Sequence, residues 1–321
     1  MTRMFVDAWD PSYGSSFEGG GGEDGPASPS SAQVDTDVEV PAAEWAPIDV
    51  APGVQRPDVV FLVDGVRRND AGLWTQEEDG TSYAGLAASF AAGVVRCDLA
   101  RGSAEMVGAE VRRGLFTASP SAQDVQTQLV RYEVRRLEGP GEASKLPSAV
   151  QPKLTELELE ISAVARGGTA DLLVVDGPLR NRRHLVNTIG YVKTQQKQYL
   201  PATLTQVVTA LRPGQRTPVF HLGTVWGGWS WYLRLPGGSG APWSGIVRVE
   251  CSPDLTPEQA IDLAEISSAT LPRFASSAYK DPRAPQNLVP IAGLERRLRG
   301  MLGDARVLHR QLTVATARNR S

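Results

Sequence analysis

The sequence predicts an α/β protein in which buried strands deliver carboxylates to the edge of a sheet. Val59-Val60-Phe61-Leu62-Val63 and Leu172-Leu173-Val174-Val175 are near-continuous apolar, β-branched runs, as strands covered on both faces require. Each ends in Asp-Gly, at Asp64-Gly65 and Asp176-Gly177. Between them Leu154, Leu157, Ile161 and Val164 recur along one face of a helix over 154–165. With 321 residues and 41% hydrophobic content, the chain can bury a sizeable core.

The chain opens differently. Residues 1–50 hold ten acidic residues against one basic residue, Arg3, a net −9, so the remainder carries +6 of the chain's −3. Gly19 to Gly22 and the run Gly25-Pro26-Ala27-Ser28-Pro29-Ser30-Ser31 offer little apolar surface to offset ordering entropy, so 1–52 is expected to be a disordered acidic tail. Gly20-x-Gly22-x-x-Gly25 matches the dinucleotide fingerprint only by chance, for no strand precedes it and no helix follows.

A single domain is expected over 53–305, followed by a basic C-terminal extension, 306–321. Strands are expected over 91–99 and 107–116, a helix over 122–137, and breaks at Gly139-Pro140-Gly141 and from Pro147 to Pro152. Gly167-Gly168 stops the helix that ends at Ala165. Downstream come a helix over 206–211, strands over 219–222, 230–235 and 245–251, the last two paired, and a helix over 288–302. Thr256 is placed to N-cap another helix over 257–268.

Two cysteines, Cys97 and Cys251, and three histidines, His184, His221 and His309, are too few and too scattered for a thiolate zinc site. The lack of a leader, of cysteine pairs and of a long apolar run points to the cytoplasm and away from a membrane. Any metal must therefore be held by carboxylates. Asp64 and Asp176, at the ends of buried strands, lie where an α/β sheet places its ligands, although Asp-Gly is also an ordinary turn dipeptide. Hard ions such as Mg²⁺ and Mn²⁺ take such oxygens and serve phosphodiester cleavage. A third ligand is expected from Glu156, Glu158 or Glu160; Glu160 flanks the apolar stripe and is chosen, with Glu158 second.

Basic residues follow both acidic strands. Arg67, Arg68, Arg180, Arg182, Arg183, Lys193 and Lys197 could meet phosphates, with Arg67, Arg180, Lys193 and Lys197 taken as the nucleic-acid-binding set. Trp226, Trp229, Trp231 and Tyr232 could stack bases, but such aromatics more often form core or interface. His184 is a candidate for proton transfer or a phosphate contact, and His221 reads as packed within a strand.

Phe61-Leu62-Val63-Asp64-Gly65-Val66-Arg67 and Leu173-Val174-Val175-Asp176-Gly177-Pro178-Leu179 resemble the first and second motifs of the NurA family of DNA repair nucleases. Gly190-Tyr191-Val192-Lys193-Thr194 resembles the family's Lys-Thr segment, so the similarity in order spans about 55–305. The resemblance implies a ribonuclease H-like mixed sheet flanked by helices, Mn²⁺-dependent cleavage of DNA ends and single strands, a ring-like homodimer, and a HerA-type hexameric ATPase as partner. It places the metal on Asp64, on Glu160 or its neighbour, and on Asp176. The chain departs from the family where a catalytic Tyr and His would stand: Ala284 and Ala292 hold those positions. Tyr279 and Asn287 have the same separation, and Asp281 and Arg283 are the nearby groups that could serve instead.

A metal-dependent deoxyribonuclease working with that ATPase is thus the leading expectation. A DNA-binding scaffold with weakened catalysis is the second, and an actin-like phosphotransferase the third. The opposed charges also imply that removing residues 1–50 strengthens DNA binding at low salt.

Overall fold

A computed structural model describes residues 33–138, 146–166, 168, 170–194, 198–223 and 227–318. The strands are β1 (Gln33–Asp35), β2 (Val59–Gln76), β3 (Ser82–Asp98), β4 (Ser103–Thr117), β5 (Val125–Gln126), β6 (Arg131–Arg136), β7 (Leu172–Asp176), β8 (Thr188–Val192), β9 (Phe220–Gly223), β10 (Trp229–Arg234) and β11 (Ile246–Cys251). The helices are α1 (Leu146–Ala165), α2 (Ala202–Ala210), α3 (Pro257–Thr270), α4 (Val289–Met301) and α5 (Ala305–Arg318). The strands form one mixed sheet in the order β1-β9-β10-β11-β8-β7-β2-β3-β4-β6-β5. β7 runs parallel to β8 and β4 parallel to β6, while β8, β11, β10, β9 and β1 alternate antiparallel. The expected α/β class, a mixed sheet flanked by helices, is what the chain adopts.

Two compact units divide the chain. One takes Met1–Leu62, Arg96–Glu105 and Gly168–Ala292; the other takes Val63–Val95, Met106–Gly167 and Gly293–Ser321. In the first, neighbouring residues of β10 face opposite ways, as strand geometry requires. Tyr232 joins Leu204, Val208 and Leu211 of α2 and its flank, Phe220, Ile246 and Trp45 in one cluster. Trp231 donates from Nε1 to Ser267 Oγ of α3 at 3.1 Å. Thr256 caps α3 as expected, in a reciprocal capping box with Gln259. In the second unit, Leu312 of α5 packs with Ala87, Leu115, Val125 and Tyr132.

Several expectations are corrected here. Asp64-Gly65 does not end its strand: β2 continues to Gln76, so the turn preference of the dipeptide yields to sheet pairing. The segment expected as a helix over 122–137 is β5 and β6. Val130, Tyr132 and Val134 alternate with Arg131, Glu133 and Arg135, a period of two that suits a strand. α1 runs through Pro152, expected as a break, and buries Leu146, Val150, Leu154 and Leu157. Val164, assigned to the apolar stripe, is 88% exposed. Residues 306–318, expected as an extension, belong to α5, where Leu308 and Leu312 are buried.

The tail boundary also moves. Residues 19–31, with the fingerprint-like glycines, lie outside the described residues, but 33–52 are built into the first unit. β1 pairs with β9, and Trp45 is buried against Phe220 with ring centroids 6.0 Å apart. The guanidinium of Arg216, almost fully buried, bonds both Glu39 oxygens at 2.8 Å and Glu265 Oε1 at 2.5 and 3.0 Å. Burial works against the charge on Arg216, yet Glu39 and Glu265 hold its pKa above the usual value. Removing residues 1–50 would therefore cost structure as well as charge. Trp45→Ala is expected to lose about 3–5 kcal/mol of stability, read as a lower urea midpoint at unchanged slope.

Both cysteines are buried thiols. Burial pushes Cys97 up to about 11 and Cys251 higher still. The thiolate is the reactive form, so at pH 8 neither is expected to react with a disulfide reagent until the protein is unfolded. Rapid native labelling would contradict the burial.

Candidate metal centre

Asp176 closes β7, whose four preceding residues are buried on both faces, so its carboxylate emerges where the apolar run stops. Gly177 follows with φ of 103°, a conformation that glycine alone adopts at little cost, and its N–H donates to the Tyr191 carbonyl at 2.8 Å. Lys193, one residue past β8, donates from Nζ to Asp176 Oδ2 at 2.6 Å and to Asn287 Oδ1 at 3.0 Å. Asn287 donates from Nδ2 to Asp281 Oδ2 at 2.7 Å. Tyr191, paired with Asp176 across the parallel strands, is fully buried and donates its hydroxyl to the Gln286 carbonyl at 2.6 Å. Its burial and the charge of Asp176 push its pKa well up.

Asp64 is buried in the middle of β2 and accepts the Gly65 N–H at 2.7 Å. A Cβ at position 65 would stand 2.5 Å from both Glu158 Oε1 and Leu154 Cδ1, so glycine is what admits α1 and its carboxylate against this strand. Glu158 is 6% exposed. Glu160, the preferred third ligand, instead meets Arg112 NH2 at 2.6 Å and is about half exposed. The Arg112 guanidinium holds its carboxyl below the usual range. The glutamate of α1 that turns toward the strand is thus Glu158.

α4 supplies a carboxylate that the sequence reading missed. Glu295 sits between Ile291 and Leu298 on the buried face of the helix, whose Leu294 and Leu298 pack at Gly93 of β3. Applying to α4 the stripe argument used for α1 would have singled it out. Asp64, Asp176 and Glu295 each offer one carboxylate oxygen, and these oxygens lie within 4.8 Å of one another. They are hard donors of the kind that divalent cations take, beside the Lys193 ammonium on Asp176 and Arg299 3.9 Å from Glu295. This acidic triad could hold a metal.

The remaining expectations fall out variously. Arg67 is exposed and donates to the Pro147 carbonyl at 3.1 Å. Arg68 pairs with Asp70 at 2.8 Å and donates to the Gly303 carbonyl at 2.7 Å, fastening the end of α4. Arg180 is exposed with φ of 45°. Lys197 and Trp226 lie outside the described residues. Trp231 and Tyr232 are core, and Trp229 donates to the Leu255 carbonyl at 2.9 Å while stacking edge-on against His221, so the structural reading of these aromatics is the one observed. His184 is exposed on the wall of a cleft of about 450 Å³, together with Arg183, Asp254 and Asp262. Tyr279 is 82% exposed and lies beside Lys280.

No protein-family model and no curated protein matches the sequence. Among solved structures the chain is similar to the NurA nuclease from Sulfolobus solfataricus, at 12% identity and a TM-score of 0.42 over 79% of this chain and 81% of that one. It is also similar to endonuclease V from Bacillus subtilis, at 13% and 0.33 over 79% and 85%. The catalytic domain of human endonuclease V gives 16% and 0.32 over 81% and 90%.

Exposed ion pairs contribute little, so Glu160→Gln is expected to change stability by no more than about 1 kcal/mol. Titration with Mn²⁺ should find its affinity within about twofold of wild type, because a surface pair apart from the ligands has no hold on a bound ion. A tenfold loss would return Glu160 to the site.

Proposed function

We propose that the chain is a divalent-metal-dependent deoxyribonuclease whose metal is held by Asp64, Asp176 and Glu295, with Glu158 supporting it from α1. The observation that carries this reading is the gathering of three carboxylate oxygens within 4.8 Å. A bound Mn²⁺ or Mg²⁺ supplies Lewis-acid polarisation of a phosphodiester oxygen and a nucleophilic water at neutral pH. Asp64, Asp176 and Glu295 bind the ion, Lys193 steadies Asp176, and the exposed Arg67 and Arg180 meet the DNA backbone without reading sequence. The net +6 of residues 51–321 suits a polyanion.

The motif resemblance extends the proposal to cleavage of DNA ends and single strands during repair, with Mn²⁺ as the preferred ion. It also extends it to a homodimer that docks on a HerA-type hexameric ATPase. Ala284 and Ala292, where the family's Tyr and His would stand, favour a second reading in which the chain binds DNA and the ATPase while cleaving slowly.

End-labelled single- and double-stranded DNA incubated with Mn²⁺, Mg²⁺ or EDTA separates these readings. Cleavage is expected to require metal and to fall by about a hundredfold or more in Asp64→Ala, Asp176→Ala and Glu295→Gln, the scale of losing one charge-stabilising group. Cleavage that persists in EDTA or in the variants would refute the site. DNA binding without cleavage, even with the ATPase added, would favour the scaffold.

A further inference from the structure

We propose that Asp281 and Asn287 are positioning residues that hold the Lys193 ammonium on Asp176, so that this lysine serves the carboxylate rather than a DNA phosphate. The inference deepens the metal-nuclease reading and rests on it only for the use to which Asp176 is put.

The geometry is directional. An ionised carboxylate only accepts hydrogen bonds, whereas a side-chain amide donates at one end and accepts at the other. Asp281 Oδ2, 2.7 Å from Asn287 Nδ2, therefore dictates which way the amide turns. Asn287 Oδ1 must then face Lys193 Nζ, 3.0 Å away. Asp281 is itself held, since its Oδ1 accepts the Arg283 N–H at 2.8 Å. The Asn287 N–H donates to the Arg283 carbonyl at 3.0 Å, closing the turn that carries both residues.

Burial separates this lysine from a surface phosphate contact. Asn287 is fully buried, and the side chains of Lys193 and Asp176 retain only 12% and 10% of their exposure. Lysine carries much rotamer entropy, and a side chain that only met phosphate would not need a buried acceptor to fix it. An acceptor of fixed orientation, supplied from a loop 94 residues away, places the ammonium at Asp176 Oδ2, 2.6 Å distant, before any ligand arrives. Partners that orient a metal-binding carboxylate in this way commonly govern ion affinity by about ten- to a hundredfold.

The full-length, metal-free protein is labelled with ¹⁵N-lysine, and the Lys193 ammonium resonance is assigned by its loss in Lys193→Arg. In wild type a slowly exchanging ammonium signal is expected; it should vanish in Asn287→Leu and in the near-isosteric Asp281→Asn, with Mn²⁺ affinity falling about tenfold or more. Asp281→Asn decides the matter if Asn287→Leu fails to fold. Retention of the signal in Asp281→Asn, or its loss with Mn²⁺ affinity unchanged, overturns the proposal. If wild type binds no Mn²⁺, the metal reading fails, while loss of the signal in both variants still supports the placement of Lys193. On single-stranded DNA, Lys193→Met is expected to leave the salt dependence of binding unchanged; a drop in log–log slope of about 0.7 would make the lysine a phosphate contact and overturn the idea.

Discussion

Burying a carboxylate is the constraint around which this protein is arranged, because a charge removed from water is costly unless something nearby compensates it. The compensation differs from site to site. Asp70 takes Arg68, the Tyr132 hydroxyl at 2.9 Å and the Ser89 hydroxyl. Glu250 takes Arg248 at 2.6 Å and the Leu179 N–H at 2.7 Å, which anchors the turn after Asp176. Glu39 and Glu265 share Arg216. Around Asp64, Asp176 and Glu295 three acidic groups converge, with Lys193 on Asp176 and Arg299 3.9 Å from Glu295. Such a cluster could hold a cation.

α4 shows how such a group is kept in place. Leu294 and Leu298 press against Gly93, fixing the rotation of the helix about its axis and with it the direction of Glu295. At its far end, Arg68 and Arg113 donate to the Leu302 carbonyl at 3.3 and 3.2 Å, supplying donors that the last turn of a helix cannot find within itself. Charge favourable to the helix dipole is delivered at the same point.

What could be read from the sequence was local. The run before Asp176 is apolar for four residues and then stops, so strand, turn and carboxylate were all legible, as was the cap at Thr256. Asp64 was found for its chemistry but misplaced at a strand end, because β2 runs on beside β3, the next strand in sequence, to a turn that Glu77 and Thr81 close. On α1 the choice between Glu158 and Glu160 depended on Gly65, which opens space for one, and on Arg112, which draws off the other. Glu295 was missed, and Asp281 and Asn287 were named only as groups near the missing family Tyr and His, not as a pair acting on Lys193. These residues take their roles from contacts made across the fold.

Among the described residues the two margins of the sheet are its shortest strands, β1 with three residues and β5 with two. A brief edge presents too few unpaired backbone groups to template another strand, one of the means by which sheets avoid polymerising. Short margins of this kind work against extension of the sheet from one molecule into the next.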